Sequence, residues 1–216
     1  MASFFLLTGR AYAFLKFIFC AICYPSMHEI RIKNMVCPRC VMAVEEVLRE
    51  MGLAFEKVEL GLVRFSDPPE SRQAEAFERK LDELGFAVAK SREMIAVETC
   101  KVALIQLLEK GANGPDATIS QILSEKTGIS YSRLSQLFSS LQGITIEQYF
   151  IELKIEKAKE FLSYASYNIS ETAWELGYSS MQHFSAQFKK HTGMTPSQFR
   201  KLSQKPRKFL DQVGGR

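Results

Sequence analysis

Histidine is scarce in this chain. It occurs only at positions 28, 183 and 191, and no two of these sit at a spacing that would hold one metal ion. No Ser/His/Asp set, no pairing of carboxylates and no glycine-rich phosphate loop can be picked out, so no enzyme is expected. An apolar run of membrane-spanning length, about 20 residues, is also missing. The longest such stretch, residues 11–24, is shorter and contains Lys16. No export signal ends in a plausible cleavage site. With five cysteines, an odd number, that absence points to a cytoplasmic protein with reduced thiols. Residues 1–26 are open to three readings: a poor membrane anchor, a signal-like segment, or a start codon placed too early. The last is preferred, because Met27 directly precedes the first recognisable strand.

What is present is unevenly distributed. Residues 1–110 carry 15 Lys+Arg and 15 Asp+Glu, whereas residues 111–216 carry 13 and 9, so the net charge of +4 lies entirely in the second half. Between Lys189 and Lys208 there are seven basic residues and no acidic one. Such a stripe suits a polyanion, although a basic run alone is as readily a solvated tail.

Periodicity divides the chain further. Residues 28–34 alternate as a strand, and Met35-Val-Cys-Pro-Arg-Cys40 is a loop with Pro38 placed to start a helix. A helix follows over residues 41–51, with Val41, Val44, Val47, Leu48 and Met51 on one face and Gly52 at its end. Two short strands flank Gly61. A second helix opens after Asp67-Pro-Pro-Glu-Ser and runs to about Leu84, and residues 86–89 form a last strand. The order βαββαβ is ferredoxin-like. Residues 92–110 are helical in pattern through Ile95, Val102, Ile105 and Leu108, and Gly111-Ala-Asn-Gly-Pro115 breaks the chain. The expected fold is α+β: a leader (1–26), a small ferredoxin-like domain (27–91), a helical linker (92–115), an all-α double helix-turn-helix domain (116–204) and a basic tail (205–216).

The second half repeats itself with a period of 50. Ile119, Ser120, Ser130, Ser135, Phe138, Gly143, Thr145 and Gln148 recur as Ile169, Ser170, Ser180, Ser185, Phe188, Gly193, Thr195 and Gln198, while Leu134 and Tyr149 pair with Phe184 and Phe199. Two copies of one supersecondary unit follow. In each, Ser120 or Ser170 is expected to cap a short helix, and Gly128 or Gly177 to supply a left-handed turn. Ser130 or Ser180 then caps a second helix. Phe138, Trp174, Phe184 and Phe188 are expected in the core. Gly193 and Pro196 are expected to set the last turn and the start of the last helix.

Three stretches carry a family resemblance: Gly128-Ile-Ser-Tyr-Ser-Arg-Leu-Ser-Gln-Leu-Phe138, Leu153-Lys-Ile-Glu-Lys-Ala-Lys-Glu-Phe-Leu162, and the run from Leu176 through Gly-Tyr-Ser-Ser-Met-Gln-His-Phe to Arg200. Residues 118–201 resemble the DNA-binding domain of AraC/XylS-type transcription regulators. The resemblance implies seven helices, with residues 146–163 joining two motifs, and double-stranded promoter DNA as partner, with RNA polymerase a further candidate. It places base reading on Ser132, Arg133, Ser135 and Gln136 in one helix and on Met181, Gln182, His183, Ser185 and Ala186 in the other. Gln136 and Gln182 suit adenine, Arg133 suits guanine, and Met181 or Ala186 suits a thymine methyl. Ser130, Ser180, Lys189, Lys190 and Arg200 are phosphate candidates. Ala186 stands where many relatives carry a longer polar residue.

The loop Met35-Val-Cys-Pro-Arg-Cys40 within a βαββαβ order resembles heavy-metal-associated domains, which carry MxCxxC at this place. The resemblance implies copper(I) or zinc at Cys37 and Cys40. Asn34 stands where that family usually has glycine or another small residue. The same pair also reads as a relic in a domain used for dimerisation or another ligand, or as a redox dithiol. Cys20 and Cys23 form a second CxxC that could complete a four-cysteine zinc site, and Cys100 reads as a buried small hydrophobe. The expectation is a DNA-binding transcription regulator, monomeric or homodimeric, whose first domain senses a metal or another signal. The alternatives are a copper or zinc chaperone, and a regulator tethered to a membrane through residues 4–24.

Overall fold

The computed structural model describes residues 29–111, 118–164, 167–207 and 213. The apolar leader, with Cys20 and Cys23, lies outside the described residues. Among those described, no helix is long and apolar enough to cross a membrane.

The N-terminal domain has the expected order. It comprises β1 (Glu29–Lys33), α1 (Pro38–Glu50), β2 (Phe55–Glu59), β3 (Leu62–Phe65), α2 (Ser71–Glu83) and β4 (Ala87–Val88). The strands form one antiparallel sheet in the order β2-β3-β1-β4. Alternation puts Ile32, Val58, Val63 and Phe65 on one face, where they bury against Val44, Val47 and Leu48 of α1 and Phe77 and Leu81 of α2. The opposite face is charged, and Arg64 of β3 pairs with Glu29 of β1 at 2.8 Å. Asn34 explains its own departure from the metal-domain pattern. It has φ 69° and is the one non-glycine residue with positive φ among those described. Asn tolerates that left-handed backbone, and its Nδ2 donates to the Gly85 carbonyl at 3.0 Å.

The second domain consists of α3 (Arg92–Lys110), α4 (Ile119–Thr127), α5 (Tyr131–Gln142), α6 (Ile146–Phe161), α7 (Ile169–Glu175), α8 (Met181–Thr192) and α9 (Pro196–Arg200). These are the seven helices that the resemblance implies, but α3 is one of them. The segment read from the sequence as a linker is built into the core. Ala96, Val97, Cys100, Ala103, Leu104, Ile105 and Leu108 are buried in one cluster with Leu123, Leu134, Phe138, Tyr149 and Leu153. The sequence reading named Ile105, Leu108 and the buried Cys100 of this face but not the small residues Ala96 and Ala103 beside them, nor that the helix belongs to the core.

The repeat is a repeat of caps and rings. Thr145 and Thr195 each accept the N–H three residues on, while Gln148 and Gln198 reach back, making matching capping boxes. The short helices α4 and α7 are capped by Thr118 and Asn168, again fifty residues apart and again in capping boxes, with Gln121 and Glu171. Ser120 and Ser170, expected as caps, stand inside the first turn. Phe138 meets Tyr149 edge-on at 5.4 Å, and their counterparts Phe188 and Phe199 meet at 5.6 Å. Phe138, Phe184 and Phe188 are fully buried, as expected, but Trp174 is 69% exposed. Within α7 it is Thr172 and Ala173 that face inward, and one helical step turns Trp174 to solvent.

The two domains meet at α3. Val36 of the cysteine loop belongs to the same cluster of buried residues as α3, and Cys40 packs against the cores of both domains. On the same end of the sheet, Gly61 has φ 71°, and a Cβ there would lie 2.9 Å from Val102 Cγ2 of α3. Helix α3 is therefore apolar on two sides, with one domain on each.

Candidate nucleic-acid interface

Helices α5 and α8 begin alike. Ser130 and Ser180 are extended N-caps whose hydroxyls accept the N–H of Arg133 (3.4 Å) and His183 (3.2 Å). Each hydroxyl retains a proton to donate, for instance to a phosphate. Gly128 and Gly177 hold the left-handed turns before them, at φ 69° and 70°.

With Leu134 and Phe138 turned inward on α5, the expected reading residues fall on its outer side. Ser132, Arg133 and Gln136 are exposed and Ser135 is half-buried. On α8, Phe184 and Phe188 are buried; Met181, Gln182, His183 and Ala186 are exposed, and Ser185 is half-buried. The two helices thus present equivalent polar faces. They differ in their contacts. The Ser170 hydroxyl donates to Met181 Sδ at 3.4 Å, and the His183 ring stands edge-on to Tyr178 at 5.6 Å. Lys189, Lys190 and Arg200 are exposed, and neither they nor Arg133 make an ion pair among the described residues. By contrast, two lysines of α6 are tied to carboxylates, Lys159 to Glu156 at 2.6 Å and Lys157 to Glu160 at 3.3 Å.

Two contacts hold the motifs onto α6. The Tyr131 hydroxyl of α5 donates to Glu147 Oε1, and that bond keeps the Glu147 carboxyl below its ordinary range. On the other side, Lys154 Nζ lies 5.0 Å from the Phe150 ring centroid and 5.1 Å from that of Tyr178. Burial lowers the pKa of this ammonium. Tyr178, whose phenol burial pushes up to about 12, donates to Gln187 of α8 at 2.6 Å. Lys154, Tyr178 and Gln187 thereby join the connecting helix to the second reading helix. The sequence reading missed them. The available signal was a lysine between Leu153 and Ile155 on the inward side of α6, one turn after Phe150. Replacing Lys154 with alanine is expected to destabilise the second motif by about 0.5–2 kcal/mol, the range of a partly desolvated cation–ring contact. Arginine at this position should retain most of that stability. Urea unfolding of the three proteins measures the difference, and equal loss in both variants would deny the ring contact its role.

In the cysteine loop, Cys37 is the N-cap of α1 and Pro38 its first residue. The Sγ atoms of Cys37 and Cys40 are 3.4 Å apart and both cysteines are free thiols. Burial raises the pKa of Cys37, but hydrogen bonds from Cys40 and Arg39 outweigh it and hold the thiol below its usual value. Burial pushes Cys40 up, and Cys100, fully enclosed in α3, up to about 12. Among the described residues no group of three or more His, Cys, Asp or Glu side chains could hold a metal ion.

Residues 123–202 match a family described as a helix-turn-helix domain. An uncharacterised helix-turn-helix-type transcriptional regulator from the cgkA 5' region of Pseudoalteromonas carrageenovora is 32% identical over 109 residues, which span 50% of this chain and 64% of the relative. The helix-turn-helix-type transcriptional activator RhaR of Salmonella arizonae is 40% identical over 70 residues, 32% of this chain and 25% of the relative. The chain thus spans less than two thirds of the length of these curated relatives. The crystal structure of the C-terminal domain of the response regulator yesN from Fusobacterium nucleatum is 30% identical, with a TM-score of 0.39, and covers 45% of this chain and 94% of that one. Taken with the stretch at 176–200 and the paired, capped helices α5 and α8, the family match and the sequence relatives identify the C-terminal half of the chain as an AraC-type helix-turn-helix DNA-binding domain.

Proposed function

We propose that the protein is a sequence-specific transcription regulator that places α5 and α8 in successive major-groove segments of promoter DNA, about 34 Å apart as the geometry of B-DNA requires. The observation that carries this reading is the pair of equivalent, solvent-facing polar helix faces flanked by unpaired cations. Arg133, Gln136, Gln182 and His183 read base edges, with Ser132, Ser135, Met181, Ser185 and Ala186 around them. Lys189, Lys190, Arg200 and the capping ends at Ser130 and Ser180 hold phosphates. Ala186 offers only a methyl, so that position adds no hydrogen bond to base reading by the second helix.

The test selects bound sequences from a random duplex pool and titrates the best one at several salt concentrations. Affinity should fall steeply with salt, by a logarithmic slope of about 0.9 per phosphate contacted. Arg133→Ala should cost about 1–3 kcal/mol of discrimination at one base pair. Lys189→Ala should weaken all sequences alike and reduce the slope by about 1. A flat salt response with no enriched sequence would overturn the reading and turn attention to a metal chaperone.

A second, narrower reading is metal sensing by the N-terminal domain. It rests on the convergence of the Cys37 and Cys40 thiols at 3.4 Å and on the resemblance of the loop to heavy-metal-associated domains. Two thiolates with no further donor group among the described residues fit a two-coordinate soft ion such as copper(I) better than a four-ligand zinc. Competition titration of the full chain with copper(I) and with zinc, against a Cys37→Ser/Cys40→Ser control, decides it. Equal uptake by the control would dismiss this site.

A further inference from the structure

The cysteine pair has a position that DNA reading alone does not use. Cys37 and Cys40 stand one turn apart at the start of α1, their sulfurs 3.4 Å from each other. A disulfide needs about 2.05 Å, so side-chain rotation and a small adjustment of the first turn would close the bond. The neighbours of the pair then matter more than the pair itself. Val36, the residue before Cys37, is buried in the core of the second domain, and Cys40 packs against both cores. The Gly61 turn at the same end of the sheet lies so close to α3 that a side chain there would meet Val102. Val36 and Cys40 thus border the cluster to which α3 belongs, and α3 shares that core with Leu123 of α4 and Leu134 of α5. Well-packed cores transmit displacement because they have little void to absorb it.

We propose that Cys37 and Cys40 are a reversible disulfide pair whose closure is felt, through Val36 and Cys40, by α3 and hence by the first helix-turn-helix. The oxidant is a low-molecular-mass disulfide of the glutathione class. The Cys37 thiolate attacks it, forming a mixed disulfide and releasing one thiolate. Cys40 then attacks the Cys37 sulfur, closing the intramolecular bond and releasing the second thiol. Two protein thiols are oxidised, one small disulfide is reduced to two thiols, and the two protons lost by the protein pass to the released thiols. Cys100 takes no part, being fully enclosed. The consequence for DNA rests on the function proposed above; the disulfide and its effect on α3 do not.

The experiment uses the full chain carrying Cys20→Ser and Cys23→Ser, freed of metal with a chelator and equilibrated in graded ratios of glutathione to its disulfide. Alkylation followed by mass spectrometry counts thiols, and amide hydrogen exchange follows Arg92–Lys110. The expected result is loss of two thiols, at Cys37 and Cys40, regained with dithiothreitol, together with changed exchange in α3. Affinity for the selected duplex should differ between the two states by about 5–150-fold, the usual range of coupling between sites. Cys37→Ser, which places a favoured capping residue at that N-cap, should fold and lose the whole response. A stable glutathione adduct without ring closure, no oxidation at all, or a disulfide that leaves α3 exchange unchanged would each overturn the proposal. If the reduced protein shows no preferred DNA sequence, the function proposed above fails, and the thiol count and α3 exchange still decide this one.

Discussion

Leu104→Ala is expected to destabilise the helical domain by about 2–5 kcal/mol, the cost of emptying a filled core position. Leu104 has 0% of its surface exposed and lies midway along α3. The expectation separates two pictures of residues 92–110. In a connector spanning solvent between domains, shortening one side chain would change stability by about 0.5 kcal/mol or less. In the structure, α3 shares a continuous core with α4, α5 and α6, and a loss of several kcal/mol follows. Urea unfolding monitored by hydrogen exchange in Ile119–Thr127 and Tyr131–Gln142 tests it. Amides in both helices should lose protection together; undisturbed protection there would mean that α3 is a connector after all.

Phe184→Ala should be at least as severe, at about 3–5 kcal/mol, and should carry a functional signature. Phe184 is fully buried, with its ring 5.2 Å from Tyr178 and 5.7 Å from Phe188. Its loss removes the central ring from the stack that seats α8 against the turn at Gly177. Discrimination at the base pairs assigned to Gln182 and His183 should be lost while that at the Arg133 position persists, because α5 is also seated through Phe138, edge-on to Tyr149 at 5.4 Å, a ring contact that Phe184 does not share. Footprinting on the selected duplex would show half of the protected region disappear. Trp174→Ala is the contrast. The larger ring stands 69% exposed, and its removal should cost about 0.5 kcal/mol or less. If Trp174→Ala proved as damaging as Phe184→Ala, the described packing of α7 would be wrong.

These expectations show where the sequence was legible. The order βαββαβ, the extent of α2 and the turn glycines could be read because each is set within a few residues: alternation, an i/i+3/i+4 stripe, a cap or a left-handed turn. Helix α1, read over 41–51, starts already at Pro38, the first helical residue after the Cys37 cap. The fifty-residue repeat was legible for the same reason, since most of its identities prove to be caps, turn glycines or core rings. The two exposed reading faces could be placed once Leu134, Phe138, Phe184 and Phe188 were recognised as the inward side. The caps of α4 and α7 were misplaced by two residues because Thr118 and Asn168 are a mismatched pair, and identity drew attention to the matched serines that follow.

The sequence alone therefore determined the two folds, the doubled motif and the residues that face outward from α5 and α8. Tertiary structure decided three other things: α3 belongs to the helical core, Trp174 faces solvent while its neighbour Ala173 does not, and the cysteine loop lies where the two domains meet. The physical reason is the same in each case. A local pattern says that a face is apolar or that a thiol ends a loop, but what covers that face is supplied by residues far along the chain. Only when Gly61 meets Val102, and Val36 joins the cluster of Leu104, does a cysteine pair in one domain come to border the helical core of the other.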